Sequence, residues 1–126
     1  MKNEFVPYAE ALALKELGFD YCCFCSYSPE GELADSYGTY YKIHPSEVTI
    51  APLYQQAFRW FREKGIYGEP TSDLSNNLED RVFVYSSYSE SGGYFVDRSE
   101  EYDTYEEAQL ACLRKLIERL KQNKHE

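Results

Sequence analysis

Cysteine and histidine are the residue types in this chain best suited to catalysis or metal binding. They are Cys22, Cys23, Cys25, Cys112, His44 and His125. Structural zinc usually takes paired Cys-x-x-Cys or Cys/His ligands around a turn. Here three cysteines fall in a predicted strand, where Cys23 and Cys25 share a face and Cys22 lies on the other. This spacing favours reduced, packed thiols, and the sequence predicts neither a metal nor another cofactor.

Covalent catalysis by one of these cysteines would require a base within hydrogen-bond reach. His44 is the one histidine outside the charged C-terminal tail, and no motif supports its pairing with a cysteine. The chain also lacks the glycine-rich phosphate loops and the Gly-x-Ser-x-Gly nucleophile elbow. We therefore predict a non-enzymatic protein. An enzyme acting on a small molecule is the less favoured alternative.

A ligand site is predicted on the second helix. Arg59 and Arg62 lie three residues apart and so are neighbours on one helical face. Trp60 lies at the opposite margin of the apolar arc, where we expect its ring to be partly exposed. Guanidinium groups and aromatic rings can stack on and hydrogen-bond nucleotides. The candidate ligand-binding residues are Arg59, Arg62, Trp60, Tyr54, Tyr41 and Tyr94. The alternative is a buried Trp60 beside two solvated arginines.

Composition limits the partners. The formal net charge is −9, from 22 acidic and 13 basic residues, which opposes binding to duplex nucleic acid or an anionic membrane. It favours a basic protein partner or simply a well-solvated surface. The 13 tyrosines suit recognition surfaces and half-exposed sheet faces. With neither a signal-sequence pattern nor a membrane-length apolar stretch, we expect a single cytoplasmic domain over residues 1–126.

The first half of the chain predicts a helix and a hairpin. The helix runs over 7–17, and Gly18 ends it. Strands over 19–27 and 37–43 flank a turn at 28–31, and 44–51 is predicted as a loop. The residues expected on the buried stripe of the helix are Val6, Ala9, Ala13, Leu14 and Leu17.

The second half predicts two helices around another hairpin. A helix opens at Pro52 and ends at Gly65, with an apolar arc of Leu53, Tyr54, Ala57, Phe58, Trp60 and Phe61. Residues 67–80 are predicted as a loop. Strands over 81–86 and 93–98 flank a turn at 87–92. The last helix is capped by Asp103 with Glu106 in a capping box, and 121–126 form a frayed tail. Its apolar face is Tyr105, Cys112, Leu113, Leu116, Ile117 and Leu120.

The predicted order is α-β-β-α-β-β-α, which defines an α+β fold. Because isolated hairpins are marginally stable, we expect one four-stranded antiparallel sheet with helices packed on one face. The core is expected to contain Phe58, Phe61, Leu113, Leu116 and Leu17.

Three blocks of sequence carry a resemblance. They are residues 5–8 with 16–20, residues 51–64, and residues 102–108 with 111–113. Together they resemble a family of small uncharacterised proteins from Bacteroidetes bacteria and their phages and prophages. The resemblance implies a mobile-element setting, without an activity or functional residues.

The predicted function is that of a non-enzymatic phage or prophage accessory binding protein. Its leading form is a counter-defence protein that sequesters a small nucleotide signal. The alternative form is an acidic inhibitor of a basic host protein. A structural or packaging role, and assembly into a homo-oligomer, remain open.

Overall fold

The computed structural model describes residues 4–19, 25–35, 49–74, 81–89 and 97–124. These residues form three helices: α1 (Tyr8–Glu16), α2 (Tyr54–Glu63) and α3 (Tyr105–Lys124). They also form six strands: β1 (Cys25–Tyr27), β2 (Leu33–Asp35), β3 (Thr49–Ala51), β4 (Ile66–Leu74), β5 (Arg81–Ser89) and β6 (Asp97–Arg98). The predicted α+β class is confirmed.

The chain divides into two compact units, Met1–Trp60 and Phe61–Glu126. The prediction of a single domain stays a prediction. One three-stranded antiparallel sheet, in the order β2-β1-β3, lies in the first unit, and a second, in the order β4-β5-β6, lies in the other. The single four-stranded sheet is therefore wrong for the described strands. The prediction failed because two segments predicted as loops are strands. They form β3 and β4, which belong to separate sheets.

The first hairpin closes earlier than predicted. The Gly31 N–H donates to the Ser28 carbonyl at 2.8 Å, and Gly31 takes a positive φ of 85°. Pairing resumes at once, with Leu33 opposite Tyr27. The return strand is therefore β2, while the strand predicted over 37–43 lies outside the described residues.

Strand β3 occupies part of the predicted loop. It pairs with β1 in antiparallel register, with Thr49 opposite Tyr27 and Ala51 opposite Cys25. Thr49 and Ala51 are buried, whereas Ile50 is 36% exposed. This alternation is the period-two pattern of a strand, but three residues are too few to distinguish it from a loop.

Helix α1 begins just after Pro7 and ends before Gly18, whose φ is 97°. Its buried residues are Glu10, Ala11 and Leu14. The predicted stripe is correct at Val6, Leu14 and Leu17 but wrong at Ala9, which is exposed, and at Ala13, which is half-buried. Val6 and Leu17 lie outside the helix, so their positions do not follow the helical period. The stripe was predicted wrongly because it was aligned on these two residues.

Helix α2 confirms its predicted arc. Tyr54, Ala57, Phe58, Trp60 and Phe61 are buried, whereas Leu53 is half-buried. The helix begins two residues after Pro52, where the Leu53 N–H donates to Gln56 Oε1 at 2.9 Å. Gly65 follows the helix with a φ of 80°.

Strand β4 replaces most of the predicted loop over 67–80. It pairs with β5 in antiparallel register from Ile66 opposite Ser89 to Leu74 opposite Arg81. Pro70 made this segment resemble a loop, but proline is tolerated in a strand at the edge of a sheet. Among the described strands, β4 is at the edge of its sheet. Residues 75–80 lie outside the described part of the chain.

Strand β5 runs three residues past its predicted end. The predicted turn at 87–92 is therefore wrong over 87–89. The antiparallel pairing of the second predicted hairpin is confirmed at Asp97 opposite Ser87 and Arg98 opposite Ser86. Residues 90–96 are not described.

Helix α3 begins one residue later than its predicted cap implied. The Glu107 N–H donates to Thr104 Oγ1 at 3.1 Å, so Thr104 rather than Asp103 caps the helix. The helix continues to Lys124, into the segment predicted as a frayed tail, and the fraying itself stays a prediction. Tyr105, predicted to be apolar core, is 42% exposed. The buried face consists of Ala108, Cys112, Leu113, Leu116, Ile117 and Leu120.

The five residues predicted for the core are all at most 8% exposed. In the second unit, α3 packs on β4 and β5. No helix in the described part of the chain combines the length and hydropathy needed to cross a bilayer.

Candidate ligand-binding groove

A groove of about 570 Å³ lies in the second unit, along α3. We call it the Tyr85–Tyr102 groove. Two tyrosines, three glutamates, two cationic residues and two aliphatic residues line it: Tyr85, Tyr102, Glu100, Glu107, Glu118, Arg114, Lys115, Leu110 and Ala111. The lining therefore combines aromatic surface with charges of both signs, and its net charge is negative.

Backbone pairing fixes the two tyrosines. The Tyr85 N–H donates to Ser99 Oγ at 2.8 Å, and the Ser99 N–H donates to the Tyr85 carbonyl at 2.9 Å. Tyr102 and Phe83 exchange two backbone hydrogen bonds of 2.9 and 2.7 Å. Residues 99–102, which follow β6, therefore run alongside β5. The Tyr85 and Tyr102 rings lie 6.4 Å apart between centroids, with 25° between their planes.

Helix α3 supplies the opposite wall. Glu107, Leu110, Ala111, Arg114 and Glu118 recur at spacings of three and four residues, which places them on one helical face. Leu110 and Ala111 are half-buried, whereas the three charged residues are exposed. The wall is therefore an aliphatic strip bordered by charges.

The glutamates that line the groove differ in their partners. The Tyr102 hydroxyl donates to Glu100 Oε1 at 3.2 Å, which orients that carboxylate. Lys115 Nζ lies 3.9 Å from Glu118 Oε1, a long contact between partly exposed side chains that contributes little stability. Lys115 nevertheless offsets part of the charge of Glu118. Of the three glutamates that line the groove, Glu100 and Glu107 are the two nearest the start of α3.

Burial affects the titratable groups beside the groove. Burial foremost, and then nearby negative groups that include Glu100, raises the pKa of Tyr85. Burial, the Glu100 charge and the hydrogen bond to Glu100 also raise the pKa of Tyr102. Burial raises the pKa of the Cys112 thiol to about 12. At neutral pH the phenols are therefore hydrogen-bond donors, and Cys112 is a neutral thiol without nucleophilic character.

None of the predicted ligand-binding residues that the structure describes lines the groove. Arg59 and Arg62 are exposed on α2, as expected. Trp60 is 3% exposed, so the expectation of a partly exposed ring is wrong. Its ring lies edge-on to Phe19 at 5.5 Å, which covers it. Tyr54 is also buried and stacks on Phe58.

The structure therefore leaves the two arginines without an exposed aromatic ring from Tyr54 or Trp60. Tyr41 and Tyr94, the remaining predicted ligand-binding residues, lie outside the described residues.

Sequence reasoning missed the groove for an identifiable reason. It interpreted the acidic residues at the start of α3 only as a cap, formed by Asp103 and Glu106. The spacing of Leu110, Ala111 and Arg114 after Glu107 was an available signal. The pairing of residues 99–102 with β5 had no such signal, because it depends on hydrogen bonds formed only in the folded chain.

The metal prediction concerns residues that are only partly described. Neither Cys25 nor Cys112 is in a disulfide. Within the described ranges, no three or more His, Cys, Asp or Glu side chains form a group that could hold a metal ion. Cys22, Cys23, His44 and His125 lie outside those ranges, so the prediction for them stays a prediction.

No family model, curated protein or solved structure matches this chain. The fold and the groove define an α+β protein with a charged, tyrosine-lined groove.

Proposed function

We propose that this chain is a non-enzymatic binding protein whose Tyr85–Tyr102 groove binds a basic segment of a partner protein. The observation that carries the proposal is the lining of the groove, in which two tyrosine rings lie beside three glutamates. The net charge of −9 adds a long-range attraction for a basic partner. Complementary charge increases the rate and the specificity of such association.

The balance of charge at the groove favours a cationic ligand over a phosphate-bearing one. Carboxylates and tyrosine rings both attract cations, the rings through their electron-rich faces. A nucleotide would bring its phosphates to a lining with a negative net charge. Lys115 would offer it little, because Glu118 lies 3.9 Å away.

The protonation states support binding rather than catalysis. Tyr85 and Tyr102 have raised pKa values and are neutral at pH 7. Cys112, whose pKa is raised to about 12, offers no thiolate. Neutral phenols beside carboxylates can donate and orient hydrogen bonds, which a binding site requires.

We further propose that this protein acts in a phage or prophage setting, in the cytoplasm, as an acidic inhibitor of a basic host protein. The resemblance of its three sequence blocks to the Bacteroidetes and phage family supports that setting. Occupying a basic surface needs complementary charge, and the lining of the groove has a negative net charge.

A second candidate function is sequestration of a small nucleotide. It is supported by the exposure of Arg59 and Arg62 on α2. The burial of Trp60 and Tyr54 removes the stacking surface that the candidate relied on. Nucleotide binding would then need an aromatic ring other than those of Trp60 and Tyr54.

A capture experiment separates the two candidates. Tagged wild-type chain is compared with a groove variant, Glu100→Gln/Glu107→Gln, and with a matched control, Asp103→Asn/Glu106→Gln. Both variants remove two exposed negative charges near the start of α3. They differ in that the control residues do not line the groove. We expect a host protein that wild type and control retain at roughly 0.15 M salt and release at roughly 1 M. The groove variant should lose it.

Equal retention by the groove variant would contradict the groove as the site. A panel of cyclic and ADP-ribose-derived nucleotides is tested in parallel by thermal shift, because a ligand bound only by the folded state stabilises it. A stabilisation that Arg59→Ala/Arg62→Ala abolishes would favour the second candidate instead.

A further inference from the structure

We infer that the Tyr85–Tyr102 groove recognises its partner through one arginine side chain, whose guanidinium group lies on the tyrosine pair between Glu100 and Glu107. This inference rests on the proposed function, since it names the group on the basic segment that the groove selects. It distinguishes arginine from lysine, and an isolated arginine from a run of basic residues.

The tyrosine pair suits a planar cation. The two rings are 25° from parallel, and their backbones are held by hydrogen bonds to neighbouring segments. A guanidinium group is flat and weakly hydrated, so it stacks on an aromatic face better than an ammonium group does. Because the backbones that carry the rings are already held in place, little backbone freedom is lost on binding.

Glu100 supplies an oriented acceptor. Its Oε1 accepts the Tyr102 hydroxyl at 3.2 Å, so the carboxylate is held beside the ring. A carboxylate can accept two parallel hydrogen bonds from one guanidinium group, whereas an ammonium group acts as a point charge. Glu107 lines the same groove from the first turn of α3 and adds a second negative charge.

Leu110 and Ala111 complete the fit. They are half-buried in the wall of the groove that follows Glu107 on α3. Long cationic side chains bury their methylene groups along apolar surface while the charged end remains hydrated or paired. The aliphatic strip therefore suits the stem of the bound arginine.

Two cations limit the site to one positive charge. Arg114 lines the groove from α3, and its positive charge opposes part of the rise in the pKa of Tyr102. Lys115 lines the groove beside it. A second cation on the ligand would meet these like charges, whereas a neutral or acidic neighbour would not. A polybasic run should therefore bind no better than an isolated arginine.

The test is an NMR titration of the full ¹⁵N-labelled chain with acetylated, amidated pentapeptides of Gly and Ser around one central residue. The central residue is arginine, lysine or citrulline, and a fourth peptide carries three consecutive arginines. We expect the single-arginine peptide to shift the amide signals of Tyr85, Tyr102 and Leu110. It should bind about tenfold more tightly than the lysine peptide, the gain expected from stacking and a bidentate contact. The citrulline peptide should not bind.

Variants locate the interaction. Glu107→Gln should weaken the single-arginine peptide about fivefold, as loss of one exposed charge partner predicts, while the adjacent Glu106→Gln should leave its affinity unchanged. Tyr102→Phe keeps the ring but removes the hydroxyl that orients Glu100, so it should weaken binding without abolishing it. Thermal unfolding of each variant confirms that it is folded.

The outcomes separate this inference from the proposed function. Equal affinity for lysine and arginine, tighter binding of the three-arginine peptide, or shifts confined to α2 would overturn the inference. So would failure of every peptide to bind while Glu100→Gln/Glu107→Gln still abolishes host-protein capture. In that last case the proposed function stands. If the groove variant also retains the host protein, both are overturned.

Discussion

Cys112 packs so closely on Gly68 that a Cβ atom at Gly68 would lie 2.9 Å from the Cys112 sulfur. The same atom would lie 2.9 Å from Leu116 Cδ2. Gly68 is therefore a strand residue that lets α3 approach β4, rather than the loop glycine that its sequence neighbourhood suggests. Both side chains are fully buried on α3, so they have little room to move away.

Replacing Gly68 with Ala tests this packing. We expect the variant to lose about 1–3 kcal/mol of unfolding free energy, the usual cost of inserting a methyl group into a filled core. Urea denaturation measures the change, and Glu69→Ala, at the exposed next position, should stay within about 0.5 kcal/mol of wild type. An unchanged Gly68→Ala midpoint would show that α3 does not approach β4 this closely.

Phe61 tests the burial of α2. Its side chain is 0% exposed, so Phe61→Ala should cost about 3–5 kcal/mol, as aromatic truncations in cores do. The exposed neighbour Arg62 provides the control, since Arg62→Ala removes a long side chain without opening a cavity. A loss below about 1 kcal/mol for Phe61→Ala would place this face of α2 against solvent.

The cap of α3 gives a prediction that separates two adjacent residues. Thr104 Oγ1 accepts the Glu107 N–H at 3.1 Å, so Thr104→Ala should cost about 0.5–2 kcal/mol. Asp103→Ala should cost less, because Asp103 precedes the capping residue. The two variants are compared by thermal unfolding. A larger loss of unfolding free energy for Asp103→Ala would show that Asp103 is the capping residue, as the sequence pattern indicated.

Cys112 gives a prediction about pH. Burial raises its pKa from 9.0 to about 12, so the unfolded chain releases this proton first as the pH rises. Unfolding free energy should therefore decline from about pH 9 upward, and the decline should be shallower in Cys112→Ala. Denaturant titrations at several pH values measure both slopes. Identical slopes would mean that the thiol titrates alike in the folded and unfolded chain.

The same burial predicts the reactivity of the thiol. In the folded chain at pH 8, iodoacetamide should modify Cys112 far more slowly than the half-buried Cys25, because the thiolate is the reacting form. Peptide mass spectrometry after brief labelling gives the two rates. Comparable rates would contradict the enclosure of Cys112 beneath β4.

Helix α2 could be predicted because its apolar residues follow the helical period closely, and that period reflects burial directly. Strand β4 could not, because Gly68 and Pro70 have weak strand propensity. Its stability comes from nine residue pairs with β5 and from packing under α3. Such pairing overrides local propensity. The fold class was thus accessible from sequence, while the division of strands between two sheets was not.

The candidate groove shows the same limit. The face of α3 that contains Glu107 and Arg114 is readable from spacing alone. Its partner surface is not, because Tyr102 reaches Tyr85 only when residues 99–102 run alongside β5. The predicted arginines on α2 were correctly placed in solvent. Trp60 was misplaced because Phe19 covers it, a contact between residues far apart in sequence.

Hydrogen–deuterium exchange tests the central claim most directly. The full chain is compared alone and in complex with the host protein that wild type captures and the groove variant loses. The account predicts slower exchange in residues 99–102 and 107–118, which form the two sides of the Tyr85–Tyr102 groove, with α2 unchanged. Protection confined to α2, with the groove segments exchanging at their original rates, would contradict it.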